Sequence, residues 1–244
     1  MRESKLNFHS VGRTHVGKVR SLNEDSLVER GDLKVWAVSD GMGGHTAGDV
    51  ASGLIKSALQ TLAPPASGES LGDRLRETLA RANDELFRRG ASMSRNSTMG
   101  ATVTVLGIEG GHYFCLWAGD SRLYLFRDGT LTQVTRDHRY IQDLLDSGVL
   151  NELEAEHHPR RSVITRAVGV DATLKLDERE GAIAPDDRFL LVTDGVTAVC
   201  KDSELAEMIS AKDLGQAADE IVQRCLERGA PDNLSLVLIK ATAD

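Results

Sequence analysis

Four strand-like segments follow one another closely between residues 101 and 135, and their connections restrict the fold more than any other feature of the chain. The segments read ATVTVLGI, HYFCLWAG, RLYLFRDG and LTQVT. Gly110-Gly111 joins the first pair and Asp128-Gly129 the last pair, and both dipeptides are typical of two-residue hairpin turns. Because connections this short cannot cross over a sheet, we predict that neighbouring strands pair antiparallel.

Helical segments flank this block on both sides. Before it, a strand at 34–39 is followed by a helix at 49–62 and by a second helix that Ser70 is expected to cap. After it, helices are predicted to open at Ser203 and Asp213. Strands and helices therefore do not alternate, which disfavours a doubly wound parallel sheet and favours antiparallel sheets covered by helix pairs.

Three further strands are predicted after the central block, and one more near the end of the chain. They read VITRAV, ATLKLDERE, RFLLVTD and LSLVLIKA. We find neither an internal repeat nor a low-complexity linker, so the sequence predicts a single domain over residues 1–244. The charged, weakly helical segment 137–161 is interpreted as an excursion from that domain.

The composition restricts the classes of partner. With 37 acidic against 29 basic residues, the formal net charge is −8, which argues against nucleic acid as the main partner. No run of 18 apolar residues exists and the first residues, MRESKLNFHS, lack the apolar core of a signal peptide, so we expect no membrane insertion and a cytoplasmic location. Three cysteines without C-x-x-C spacing indicate neither a disulfide framework nor a zinc site.

The stretch VWAVSDGMGGHTAGDVASG, residues 35–53, ends an apolar run in Asp40 and continues with Gly41, Gly43 and Gly44. Such a loop could cradle a phosphate, hold a metal ion or only turn a corner. A P-loop requires a lysine after its last glycine, and a dinucleotide-binding loop requires G-x-G-x-x-G; neither pattern is present. A carboxylate here would repel a phosphate unless a cation lay between them.

Other acidic residues occupy similar positions beside apolar segments. A single aspartate at a strand end is usually a cap or turn residue, but several are harder to explain in that way. If the sheets bring these ends together, two carboxylates about 4 Å apart repel by roughly 4 kcal/mol, so protons or metal ions must neutralise the cluster. An all-oxygen ligand set favours Mg²⁺ or Mn²⁺ over zinc. The acids are Glu24, Asp25, Asp40, Asp120, Asp194 and Asp232.

Taken together, the motifs resemble those of the metal-dependent serine/threonine protein phosphatases of the PPM type, also called PP2C-like, in their compact bacterial form. The similarity runs nearly from end to end through GRTHVGKVRSLNEDS, VSDGMGGHTAGD, STMGATVTV, WAGDSRLYLFRDG, TRDHRYIQDLLDSGVL, HHPRRSVITRAVG, LLVTDGVT and PDNLSLVLI. This resemblance implies an α+β fold, a four-layer αββα sandwich of two antiparallel sheets flanked by helix pairs. It also implies a centre of two Mn²⁺ or Mg²⁺ ions and identifies residues 137–161 as a flap beside it.

The resemblance assigns a metal-binding role to several of the acids. Asp40 corresponds to the ligand that bridges both ions, and Asp194 and Asp232 complete the ligands of one ion. The carbonyl of Gly41 corresponds to a ligand of the second ion, which Glu24 reaches through a water molecule.

Further roles follow from the same resemblance. Asp120, together with Asp194, matches a third and weaker metal site. Arg20 matches the arginine that binds the substrate phosphate, a task suited to a guanidinium group. Asp25 is expected to orient Arg20. Asn233, next to Asp232, is expected to support the ligands without touching the ions.

The implied reaction is hydrolysis of phosphoserine and phosphothreonine on proteins by a water molecule that bridges the two ions. Since position 42 carries Met where some members of the family have a histidine, the general acid is unassigned, and His45 is a candidate for substrate contact. We expect a monomer that opposes a bacterial Ser/Thr kinase, with type VI secretion as one setting. The alternatives are an inactive phosphoprotein-binding adaptor and a hydrolase of small phosphate esters.

Overall fold

The computed structural model describes residues 6–43, 47–93, 99–210 and 213–243. Eleven strands and seven helices lie within these ranges. The strands are β1 (Leu6–His15), β2 (Asp25–Arg30), β3 (Val35–Gly43), β4 (Met99–Ala101), β5 (Val103–Glu109), β6 (His112–Ala118), β7 (Arg122–Arg127), β8 (Thr130–Gln133), β9 (Asp177–Ala182), β10 (Arg188–Val192) and β11 (Leu234–Ala243). The helices are α1 (Ala47–Gln60), α2 (Leu71–Ser92), α3 (Tyr140–Asp146), α4 (Glu152–Glu156), α5 (Asp194–Thr197), α6 (Asp202–Ile209) and α7 (Leu214–Glu227).

The strands form two sheets, and every strand pair in the described ranges is antiparallel, as predicted. One sheet has the order β1-β11-β10-β7-β8, and the other has the order β2-β3-β5-β6-β9, with β4 paired to β3. The two predicted hairpins, β5–β6 and β7–β8, are both present. Gly110, Gly111, Asp128 and Gly129 all have positive φ angles, as the central residues of type I′ turns require.

Alternate residues of the central strands point to opposite faces of each sheet, and both faces are buried. Between the sheets lies a cluster that includes Trp36, Val38, Leu106, Phe189, Leu191, Val237 and Ile239. The outer face of one sheet packs on α1 and α2 through Val35, Ala37, Val105, Ile55, Leu59, Leu75 and Leu79. The outer face of the other packs on α5, α6 and α7 through Leu190, Val192, Leu236, Leu238, Val196, Leu205 and Ile221. This confirms the four-layer αββα sandwich and explains why the central strands are apolar at nearly every position.

Three of the four predicted helix starts hold to within one residue, while α1, predicted from residue 49, begins two residues earlier at Ala47. Ser70 Oγ accepts a hydrogen bond from the Asp73 amide at 3.0 Å, and Asp213 Oδ1 accepts one from the Gln216 amide at 2.8 Å, so both residues cap their helices. The helix predicted to open at Ser203 begins one residue earlier.

Two of the predicted strands are wrong in whole or in part. VITRAV, residues 163–168, contributes only two isolated bridges, Arg139 to Ile164 and Ala101 to Val168. Of ATLKLDERE, only the part from Asp177 onward joins a sheet, as β9. Leu174 and Leu176 instead pack against the cluster beneath α1 and α2. These apolar residues therefore contribute to the core without forming strand hydrogen bonds.

The segment 137–161 contains the short helices α3 and α4. At the start of α4, Asn151 and Glu154 form a reciprocal capping box, which stabilises a helix of only five residues. The division of the chain into one domain with this segment as a flap remains a prediction. No helix among the described residues has the length and apolar composition needed to cross a bilayer.

Candidate metal centre

Asp40 lies inside β3 and not at its end, which corrects the prediction that the strand stops at this carboxylate. Residues 41–43 continue the strand because they pair with β4. The Asp40 amide donates to Thr102 Oγ1 at 2.9 Å, and the Thr102 amide donates to the Asp40 carbonyl at 2.8 Å. These two bonds fix the backbone of Asp40 and leave its carboxyl group free for other partners.

Asp25 lies directly opposite Asp40 on the neighbouring strand β2. Its Oδ2 accepts a hydrogen bond from Thr193 Oγ1 at 2.8 Å, while its Oδ1 is buried without a partner. Burial raises the pKa of Asp25 to about 7, and the charges of Asp194 and Asp232 act in the same direction. Two carboxyl groups placed opposite each other in a sheet require a proton or a cation between them.

Asp194 and Asp232 reach the same place from the other sheet. Asp194 follows the end of β10 and Asp232 precedes β11, and these two strand ends are adjacent because β10 and β11 pair antiparallel. Burial raises the pKa of Asp194 to about 6, and the charge of Asp120 adds to this effect. Burial, followed by the charge of Asp25, also raises the pKa of Asp40 well above its ordinary value.

The loop 16–24, which carries two predicted site residues, is held by the side chain of Asn233. Asn233 Oδ1 accepts a hydrogen bond from the Glu24 amide at 2.8 Å. Its Nδ2 donates to the carbonyls of Val16 at 2.8 Å and Leu22 at 2.9 Å. Asn233 is buried, so these bonds are shielded from water, and they determine where the loop lies relative to Asp232.

Glu24 lies where β3 meets the start of α1. The Gly41 amide donates to the Glu24 carbonyl at 3.0 Å, and Glu24 Oε1 is buried without a partner. A Cβ atom on Gly41 would lie 2.0 Å from the Gly48 carbonyl oxygen, and one on Gly48 would lie 2.3 Å from Glu24 Oε1. Gly41 is therefore required by the close approach of α1.

Arg20 forms an ion pair with Asp232, its Nη2 lying 2.9 Å from Asp232 Oδ2. Asp25, which was expected to orient Arg20, accepts its hydrogen bond from Thr193, and Arg20 is paired with Asp232. About half of the Arg20 side chain, 51%, is exposed, so the guanidinium group borders the centre and is open to solvent.

Asp120 is buried and is paired with an arginine that the sequence did not single out. Arg139 Nε lies 2.6 Å from Asp120 Oδ2, and Arg139 Nη2 lies 3.4 Å from Asp194 Oδ2. The two carboxylates predicted to hold a third ion are thus bridged by a guanidinium group. His45, the candidate for substrate contact, lies outside the described residues.

The acids of this centre fit hard divalent cations in their chemistry. Buried carboxyl oxygens of Glu24, Asp25 and Asp120 lack hydrogen-bond partners, and every candidate ligand offers oxygen. The described residues contain no ready-made group of three His, Cys, Asp or Glu side chains around one ion position. Asp232 is engaged by Arg20, so ion binding there requires this exposed ion pair to open, which costs little.

Sequence reasoning missed the hydroxyl groups that fix these acids. Thr102 Oγ1 lies 2.7 Å from Ser121 Oγ, and Thr193 Oγ1 accepts a hydrogen bond from the Ser235 amide at 2.9 Å. All four residues are buried. The available signal was a hydroxyl residue inside or beside an apolar strand, such as the threonine of LVTDG.

Comparison with known proteins adds a second line of evidence. The sequence profile of the family described as Protein phosphatase 2C matches residues 7–143. The serine/threonine protein phosphatase PstP of Mycobacterium tuberculosis is 34% identical over 231 residues, which cover 93% of this chain and 44% of PstP, so the chain spans less than half of that relative. The serine/threonine phosphatase stp of Listeria monocytogenes is 30% identical over 96% of both chains.

Solved structures agree with the sequence matches. PppA, a key regulatory component of T6SS in Pseudomonas aeruginosa, is 39% identical with a TM-score of 0.86, covering 96% of this chain and 98% of that one. The catalytic domain of PstP in complex with two manganese ions is 30% identical with a TM-score of 0.87, covering 98% of this chain and 100% of that one. With the fold, the acidic centre and these similarities in agreement, the chain belongs to the protein phosphatase 2C family, as its motifs predicted.

Proposed function

We propose that this chain hydrolyses phosphoserine and phosphothreonine on proteins with the help of two Mn²⁺ or Mg²⁺ ions. The observation that carries the proposal is the meeting of Asp40, Asp194 and Asp232 from two different sheets, with Arg20 at their edge. Burial and the charges of neighbouring carboxylates raise the pKa of Asp40 and Asp194, which is expected of a carboxylate cluster that binds a cation.

In this proposal, Asp40 would be a ligand of both ions, Asp194 and Asp232 would hold one of them, and Gly41 and Glu24 would hold the other. Two bound divalent ions supply Lewis acidity, which lowers the pKa of water and draws charge from phosphoryl oxygens. The chain itself contributes rigid placement, because the backbone of Asp40 is tied to Thr102.

Arg20 is the residue proposed to bind the substrate phosphate. Its guanidinium group can form two parallel hydrogen bonds to phosphoryl oxygens, which lysine cannot. With Asp232 serving as a metal ligand, the Arg20 side chain, about half of which is exposed, would lose this partner and would be available to the dianionic phosphate.

The decisive assay measures hydrolysis of a phosphothreonine peptide and of para-nitrophenyl phosphate with Mn²⁺ and with a chelator. We expect metal-dependent turnover of the peptide. Asp40→Asn should lower kcat/KM by more than about a hundredfold, since even residues that only support metal ligands cost roughly 10–100-fold. Asp219→Asn, which changes an exposed aspartate paired with Arg13, is the matched control and should retain activity.

The alternatives predict other outcomes of the same assay. Tight binding of the phosphopeptide without turnover at any Mn²⁺ concentration would indicate an inactive adaptor. Turnover of para-nitrophenyl phosphate without turnover of peptides would indicate a hydrolase of small phosphate esters. Either result would overturn the proposal.

We further propose that the substrates are proteins phosphorylated by a Ser/Thr kinase of the same bacterial cell, and that the chain acts as a cytoplasmic monomer. Similarity to PppA, at 39% identity over 96% of this chain, supports type VI secretion as the setting. Deleting the gene should raise the phosphothreonine content of secretion proteins and alter secretion. Light scattering should give a mass near 26.4 kDa.

A further inference from the structure

Arg139 brings a fixed positive charge into the acidic centre. Its Nε lies 2.6 Å from Asp120 Oδ2 and its Nη2 lies 3.4 Å from Asp194 Oδ2. Only 21% of the Arg139 side chain and 2% of the Asp120 side chain are exposed, so water screens this ion pair poorly. The guanidinium group therefore lies between two carboxylates that would otherwise repel each other across a buried space.

The backbone on both sides of Arg139 is held in place. Arg139 forms an antiparallel bridge with Ile164, and the Thr165 amide donates to the His138 carbonyl at 2.8 Å. The His138 amide donates to the Gly119 carbonyl at 2.9 Å, and His138 Nδ1 accepts from the Gly119 amide at 3.1 Å. Because Gly119 immediately precedes Asp120, and His138 immediately precedes Arg139, these bonds hold the backbones of Asp120 and Arg139 close to each other.

The nearest other carboxylate does not compete for Arg139. Asp137 accepts two hydrogen bonds from Arg122, at 2.9 Å and 2.8 Å, and lies 3.9 Å from Arg139 Nε. Asp137 already has a full bidentate partner, so the charge of Arg139 is directed to Asp120 and Asp194.

We propose that Arg139 is the third cation of this centre: its guanidinium group takes the place of a divalent ion between Asp120 and Asp194. The chain then binds two ions and not three. An arginine remains charged at every pH at which the protein is folded, so this cation is permanent and independent of metal supply. The inference rests on the two-ion centre of the proposed function.

A positioning role follows from the same contacts. The guanidinium group engages Oδ2 of Asp194 and leaves Oδ1 for the neighbouring ion. Asp120 Oδ1 is buried without a partner, so it is a ready ligand once the guanidinium group is removed. Removing Arg139 should therefore create a third ion site and not merely weaken the existing two.

The test counts bound Mn²⁺ by equilibrium dialysis with EPR detection of the free ion. We expect two ions in the wild-type protein and three in Arg139→Gln, with affinity at the third site raised about tenfold or more because a charge at contact distance has been removed. Arg139→Lys, which keeps the charge, should bind two. Adding Asp120→Asn to Arg139→Gln should return the count to two.

Arg136→Gln is the matched control, because Arg136 pairs with Asp143 and Asp146 on α3 and touches neither Asp120 nor Asp194. It should bind two ions. Three ions in the wild-type protein, or two in a folded Arg139→Gln variant, would overturn the inference while leaving the proposed function intact. No bound ion in the wild-type protein would overturn both. Circular dichroism on each variant confirms folding, and Arg139→Lys covers the case in which Arg139→Gln does not fold.

Discussion

Replacement of Asn233 by alanine should detach the loop that carries Arg20 and Glu24 from the metal centre. The Asn233 side chain makes three hydrogen bonds to the backbone of this loop, all between 2.8 and 2.9 Å, and the residue is 5% exposed. Alanine removes all three bonds and leaves one amide and two carbonyl groups to find water.

The size of the effect follows from these bonds. Each contributes a net 0.5–1.5 kcal/mol, so the free energy of unfolding should fall by about 3 kcal/mol. For a domain of this size, that corresponds to a drop in Tm of roughly 6–12 °C. Because Glu24 and Arg20 lose their fixed positions, Mn²⁺ affinity should also fall by roughly tenfold, as for other residues that support metal ligands.

Asn83→Ala is the matched control. Asn83 is also buried and also ties a loop, donating to the Asp171 carbonyl at 3.0 Å and accepting from the Gly169 amide at 2.8 Å. It should lose comparable stability but keep its Mn²⁺ affinity. Urea unfolding of the chelated proteins and Mn²⁺ titration of the folded proteins separate the two effects. Equal losses of Mn²⁺ affinity in both variants, or unchanged affinity in Asn233→Ala, would show that Asn233 does not position the metal centre.

Three further predictions address the packing and the charges of the centre. Gly41→Ala should destabilise the fold by about 3 kcal/mol in urea unfolding, because its Cβ would meet a backbone oxygen at 2.0 Å, whereas Gly53→Ala, in open space on α1, should stabilise it by about 1 kcal/mol. Thr193→Val should cost about 2 kcal/mol because Asp25 and a buried amide lose their hydrogen-bond partner, while Thr193→Ser should cost less. In chelator, stability should fall as pH rises from about 4 to about 7, since the folded state holds a proton on Asp25, whose pKa is about 7 against 3.8 for the free side chain. Adding Mn²⁺ should reverse the trend, because divalent positive charge beside Asp25 would favour its ionised form.

Each of these three has a result that would contradict it. Equal stability of the Gly41→Ala and Gly53→Ala variants would show that α1 is not in close contact with β3. Equal losses in Thr193→Val and Thr193→Ser would show that the hydroxyl group is not the relevant feature. A Tm that rises between pH 4 and pH 7 in chelator would show that Asp25 is charged in the folded protein.

The sequence predicted the fold where local chemistry determines it. The glycine-rich hairpins, the caps Ser70 and Asp213 and the apolar strands all depend on neighbours along the chain, and the structure confirms them. VITRAV was mistaken for a strand because apolar and β-branched residues also fill irregular segments that cross a core, and only a partner strand distinguishes the two cases.

In the candidate site too, features that depend on neighbours along the chain could be predicted, and contacts between distant residues could not. The acids could be picked out because each stands beside a strongly apolar strand. Asn233 binds the backbone of loop 16–24 from at least 209 positions away along the chain, and Arg139 pairs with Asp120 from 19 positions away. No pattern in a single sequence indicates such contacts. The sequence also gave no sign that Asp25 would accept a hydrogen bond from Thr193, which is 168 positions away.

Asp40 is proposed to be a ligand of both divalent ions. Anomalous diffraction at the manganese edge, on crystals grown with Mn²⁺, can locate those ions. We predict two peaks on either side of the Asp40 carboxylate, one within ligand distance of Asp194 and Asp232 and the other of the Gly41 carbonyl. Absence of any peak beside Asp40 at saturating Mn²⁺ would contradict the account.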